Sequence, residues 1–96
     1  MTEQQYQKKI SDNLTSEGYF VINMIKTNRN GIPDLQASKF NEPVMYIECK
    51  TPKGKLSDIQ VFRLNELTDL GFNCCVSYGM KINKWKKKLT KTCELF

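Results

Sequence analysis

Helix punctuation constrains this chain more than any other feature. Thr2-Glu3-Gln4-Gln5 and Ser57-Asp58-Ile59-Gln60 are both capping boxes, in which an N-cap hydroxyl takes an orphan backbone N–H and a glutamine three residues on reaches back. Gly18 and Gly71 stand where a left-handed residue closes an α-helix. On the first helix Tyr6, Ile10 and Leu14 recur at four-residue spacing, and Glu3 and Glu17 fall on the same face at about 100° per residue. On the second, Leu56, Ile59, Leu64, Leu67 and Leu70 form a stripe with Gln60 near its centre. Between the helices, Tyr19 to Ile25 is β-branched and aromatic, as a buried strand requires, and Lys26 to Gly31 is a polar turn-forming loop. Asp34 to Ser38 and Val44 to Lys50 then read as a hairpin around the turn Lys39 to Pro43, and Phe72 to Tyr78 as a fourth strand. Beyond it, lysines 81, 84, 86, 87, 88 and 91 surround Trp85 and Leu89, and Met80, Ile82, Trp85 and Leu89 suggest a short amphipathic helix. The expected order is α-β-β-β-α-β: an α/β fold with a small mixed sheet flanked by helices.

Ninety-six residues at 40% apolar content suit one compact domain over 1–96, with a basic C-terminal segment over 80–92. A formal charge of +5 attracts polyanions, with nucleic acid or an anionic membrane surface as candidates. No apolar run reaches the roughly 18 residues of a membrane span, and Met1 to Gln5 lacks the basic and apolar regions of a signal peptide, so a soluble cytoplasmic protein is expected. Cys49, Cys74, Cys75 and Cys93 show no Cys-x-x-Cys spacing and read as buried reduced thiols. There is no histidine, which removes imidazole bases, imidazole metal ligands and Ser-His or Cys-His nucleophile pairs. Any metal chemistry must use oxygen ligands.

The hairpin carries those oxygens. Asp34 opens one strand and Glu48 lies late in its partner, so antiparallel pairing brings the two carboxylates to one end of the sheet. Hard cations such as Mg²⁺ or Mn²⁺ take one or two carboxylates plus substrate phosphate. Strand alternation puts Lys50 on the face of Glu48 and Cys49 on the other, so a lysine ammonium stands beside the acids, where it could orient a water or offset charge on a reacting phosphate.

Pro33-Asp34 followed by Glu48-Cys49-Lys50 resembles the PD-(D/E)xK nuclease signature. Gly31-Ile-Pro-Asp34, Tyr46-Ile-Glu-Cys-Lys-Thr-Pro-Lys-Gly-Lys-Leu-Ser57 and Gln60 are closer still to the VRR-NUC (virus-type replication-repair nuclease) branch, over nearly the whole chain. The resemblance implies a restriction-endonuclease-like core and a Mg²⁺- or Mn²⁺-dependent phosphodiesterase, an endodeoxyribonuclease. Asp34 and Glu48 would be metal ligands, the Cys49 backbone carbonyl a third, Lys50 the catalytic lysine and Gln60 the motif glutamine beside it. Glu3 matches the family's first-helix acid, which joins the metal shell through water. Short stand-alone members resemble Holliday-junction resolvases of phage or bacterial origin, implying a homodimer acting on branched or four-way DNA.

Each residue also has a plainer reading. Pro33-Asp34 is a common turn starter. Glu48 and Lys50 could be solvated residues on an exposed strand face. Gln60 satisfies a capping box whatever the chemistry, and Glu3 suits the positive end of a helix dipole. The late lysines could be a solvated helix face; as DNA-backbone contacts, Lys84, Lys87 and Lys88 join Arg29, Lys53, Lys55 and Arg63. The alternative function is a non-catalytic basic nucleic-acid-binding module.

Overall fold

A computed structural model describes residues 1–88. The first helix, α1 (Glu3–Ser16), starts at the N-cap Thr2 with both arms of its capping box made, and Gly18 follows at φ +95°. Strands β1 (Phe20–Asn23), β2 (Leu35–Ser38) and β3 (Met45–Lys50) form an antiparallel meander. Helix α2 (Asp58–Asp69), capped by Ser57, then crosses over to β4 (Asn73–Tyr78), which pairs with β3 in parallel. The helix is what a parallel pairing requires, because its two strands must start at the same end.

The two faces of the sheet bury different residues, as the period of two demands. One face lays Leu35, Ala37, Met45, Ile47, Cys49 and Cys75 against Ile10 and Leu14 of α1. The other lays Cys74 and Val76 against Leu64 and Leu67 of α2, with Trp85. Each aliphatic chain fully buried this way contributes about 1.5–3 kcal/mol. The cysteines among the described residues, Cys49, Cys74 and Cys75, are buried and free; Cys93, Leu89 and Lys91 lie outside them. No helix among the described residues is long and apolar enough to cross a membrane.

Three expectations need correction. The run Tyr19 to Ile25, read as a buried strand, gives the edge strand β1 with Phe20, Ile22 and, past its end, Ile25 exposed, because only one side of an edge strand is paired. In place of the short amphipathic helix around Ile82 there is a fifth strand, β5 (Lys81–Lys84), antiparallel to β4 at the edge of a sheet ordered β1-β2-β3-β4-β5. Gly79 and Met80 make its two-residue turn, and Gly79 at φ +62° takes the first central position that a hairpin of this length gives to glycine. The stripe on α2 is also narrower than expected, for Ile59 and Leu70 are exposed and Leu64, Asn65 and Leu67 are the buried positions. Among the strands the helix backbone lies closest to β4, so only a narrow arc of it is covered.

Candidate active site

The hairpin register decides the site. Leu35 pairs with Ile47, which sets Asp34 opposite Glu48 at the end of the sheet where α1 begins. Carboxylate oxygens of Glu3, Asp34 and Glu48 all lie within 4.8 Å of one another, the one such group among the described residues. Lys50 Nζ stands 3.9 Å from Glu48 Oε2. Glu48 is 2% exposed and Lys50 9%, which discards the solvated strand face as an account of this pair. Pro33 is fully buried as well, so Pro33-Asp34 is part of the interior and not a free turn.

Each acid is held by something the local sequence supplies. Asp34 Oδ2 accepts the backbone N–H of Cys49 at 2.8 Å, and the Asp34 carbonyl accepts the N–H of Met24 at 2.8 Å, so the residue is pinned between β1 and β3. Ahead of it Gly31 has φ +77°, and a Cβ there would lie 2.7 Å from the Ile59 carbonyl oxygen, an approach open only to glycine. The loop carrying Asp34 is thereby pressed onto the start of α2. Glu3 comes from the first turn of α1; Glu17, expected on the same face, is the exposed C-cap at the other end and takes no part.

Gln60 does both things asked of it. Its Oε1 accepts the Ser57 N–H at 2.9 Å as the capping box requires, and its Nε2 donates to Glu48 Oε2 at 3.4 Å. One amide therefore fixes the start of α2 and one rim of the acid cluster together. Cys49 turns its side chain toward the α1 core, where burial pushes the thiol up to about 12, a group inert at neutral pH.

Electrostatically the cluster is unbalanced. Burial above all, and then the neighbouring Asp34 carboxylate, push the Glu48 carboxyl up to about 9 against the opposing pull of Lys50. Three acids beside one ammonium leave excess negative charge unless a proton or a cation is shared among them. A divalent ion removes that conflict, since its charge inverts the local preference of a buried carboxylate. The donors are all oxygen, which fits Mg²⁺ or Mn²⁺ and not a thiolate- or imidazole-seeking metal.

The expected basic contacts scatter. Arg29, Lys53, Lys55 and Lys84 are exposed. Arg63 uses its guanidinium inside the chain, donating to the Asn30 carbonyl at 2.8 Å and pairing with Glu66 at 3.0 Å. Lys87 pairs with Asp69 at 2.8 Å, and Lys88 lies over the Trp85 ring. Trp85 is buried and donates its indole N–H to the Asn65 side chain at 3.0 Å, so it is not a free stacking platform.

Two contributors escaped the sequence reading. Gly79 donates its N–H to the Lys50 carbonyl at 2.8 Å, and a Cβ on it would meet Pro52 at 3.0 Å and the Tyr6 ring at 3.4 Å, so the β4–β5 turn braces the strand end that bears Lys50. Asn65, buried at 2%, also accepts the Lys88 N–H at 2.9 Å and ties the chain after β5 to α2. The Gly-Met pair between two strand-compatible runs was a signal for the first; a lone Asn inside a helix offers none for the second.

Among known families, the model of the VRR-NUC domain matches residues 1–81. Comparison with curated proteins gives no match.

Proposed function

The chain belongs to the VRR-NUC family of nuclease domains, and on that premise we propose that it is a metal-dependent DNA endonuclease hydrolysing phosphodiester bonds in branched or four-way-junction DNA. The observation that carries the reading is the convergence of Glu3, Asp34 and Glu48 oxygens within 4.8 Å beside a buried lysine.

In this reading Asp34 and Glu48 would hold Mg²⁺ or Mn²⁺, with the Cys49 carbonyl and, through water, Glu3 as the further groups that would complete its shell. The bound ion supplies Lewis acidity and offsets the negative charge that gathers on the phosphate. Lys50 holds the attacking water or donates to a non-bridging phosphate oxygen as charge builds there. The water oxygen bonds to phosphorus and the P–O bond to the leaving sugar oxygen breaks; one proton of the water ends on that oxygen and the other stays with the new phosphate or passes to solvent, so the strand ends in phosphate and hydroxyl. Gln60, the fourth catalytic candidate, holds Glu48 through its amide beside Lys50. Arg29, Lys53, Lys55 and Lys84 serve as contacts to the DNA backbone. A homodimer, with one site for each of two strands, rests on the likeness to short stand-alone members.

The test is cleavage of labelled four-way-junction, splayed-arm and linear duplex DNA with Mg²⁺, Mn²⁺ or EDTA, beside Lys50→Ala. The expected result is metal-dependent cutting, strongest on the junction, with turnover about 10²–10³ lower in the variant while DNA is still bound. Salt-sensitive binding with no cutting under either metal would replace this reading with the basic binding module.

A further inference from the structure

The acid cluster does not stand alone. A cleft of about 550 Å³ runs beside it between α1, the end of β1 and the residues that follow, with Asp34 in its wall. Its other walls include Gln4 and Gln7, one turn apart on α1, Asn23 at the end of β1, and Met24 and Ile25. Such a volume falls within the range of small-ligand clefts, roughly 300–1,000 Å³.

The chemistry of the lining is selective. The three amides offer uncharged donors and acceptors, and none of their side chains has a hydrogen-bond partner among the described residues. Lys8, the one cation of the lining, is paired with Asp12 at 3.1 Å, and Asp12 and Asp34 are both in the lining, so the charge of the cleft does not favour a phosphate. Ile25 is 87% exposed at the start of the loop after β1, an apolar side chain with nothing to cover. Amides for an edge and an apolar surface for a face are what an unstacked nucleobase needs.

We propose that this cleft is a subsite for one unpaired nucleobase, that of the nucleotide next to the scissile phosphate. The inference rests on the nuclease reading, which puts that phosphate at Asp34, Glu48 and Glu3; the neighbouring nucleoside on the Asp34 side then enters the cleft. A base inside a duplex has its edge paired and its faces stacked and cannot enter. The site therefore selects DNA whose strand is open beside the cut, as at a fork or the centre of a junction, and it does so without reading sequence along a groove.

The experiment compares wild type with Ile25→Ala, whose exposed position leaves the fold intact, and with Gln7→Ala. Substrates carry an unpaired nucleotide, or an abasic site, next to the cut. On the unpaired nucleotide, kcat/KM is expected to fall about tenfold in each variant, mainly through KM, because losing one base contact, the apolar face of Ile25 or an edge hydrogen bond to Gln7, changes binding at about that level. On abasic DNA the same defect should vanish, since no base remains to be lost. A defect that persists on abasic DNA, or no defect at all, overturns the subsite. Fluorescence of 2-aminopurine at the two flanking positions, read on Lys50→Ala protein with Mg²⁺, needs no cutting. A change at one position that Ile25→Ala abolishes supports the cleft even if the wild type cuts nothing, in which case the nuclease reading alone falls. Cutting without any change at either position removes the cleft and leaves the nuclease.

Discussion

Glu48 is the residue at which burial and charge conflict most. With its carboxyl raised to about 9, the metal-free fold keeps a proton that the unfolded chain loses near 4.5. The folded state binds the extra proton, so the contribution is complete below the unfolded value and is lost as pH rises toward 9. Denaturant unfolding in EDTA should therefore show stability falling across that window by at most about 1.4 kcal/mol per pH unit. Glu48→Gln should flatten the slope and be the more stable protein at pH 8, and Mg²⁺ should restore the wild type by displacing the proton. A wild-type profile as flat as that of the variant would remove the buried proton from the account. Gly31 makes a second prediction at this scale. Alanine there meets both a left-handed φ and the Ile59 carbonyl, so Gly31→Ala should cost about 2 kcal/mol or more in denaturation. Cleavage should fall with it, because the loop it fixes carries Asp34.

At the scale of elements, the two helices divide the labour. Helix α1 brings Glu3 to the end of the sheet, and α2 brings Gln60 over it, each through its first turn. Removing the cap hydroxyl and removing the glutamine should consequently differ. Ser57→Ala should cost about 1 kcal/mol of stability, the usual worth of an N-cap, with little effect on metal affinity. Gln60→Ala should lose a similar amount and also weaken Mn²⁺ binding, read by titration calorimetry; equal Mn²⁺ affinity in the two would reduce Gln60 to a cap. Both capping boxes and both glycine stops were legible, because capping depends on neighbours within four residues. Strand β5 was not. All four of its residues are exposed, so its polar and apolar positions follow no burial period, and the lysines pointed to a helix face instead. The exposure of Ile59 and Leu70 has a similar cause, for the covered arc of a helix depends on how many strands lie beneath it.

Across the whole molecule, the excess of positive charge is spread and partly spent. Arg63 and Lys87 neutralise acids of their own chain, and Lys88 lies on Trp85, which leaves the loop after β3 as the basic segment next to the site. Binding of DNA should be steeply salt-dependent, each neutralised phosphate adding about 0.9 to the slope of log K against log salt. Lys53→Ala and Lys55→Ala should each lower that slope by about one contact, measured by fluorescence anisotropy, whereas Lys87→Ala should lower it less. Equal effects at all three positions would mean that the Lys87–Asp69 pair opens on binding.

What the sequence determined by itself was local or periodic: where helices begin and end, that Glu48 and Lys50 share a face with Cys49 opposite, and that without histidine any metal must sit on oxygen. Its likeness to the VRR-NUC family was readable for the same reason, since Gly31 to Asp34 and Tyr46 to Ser57 are short continuous stretches. Tertiary structure decided what depends on residues far apart in the chain. Only the fold brings Glu3 to two acids on another layer, buries Glu48 enough to hold a proton, turns Arg63 inward, sets Lys87 against Asp69, and opens a cleft beside Asp34. Those outcomes are set by distances across space, and no window along the chain contains them.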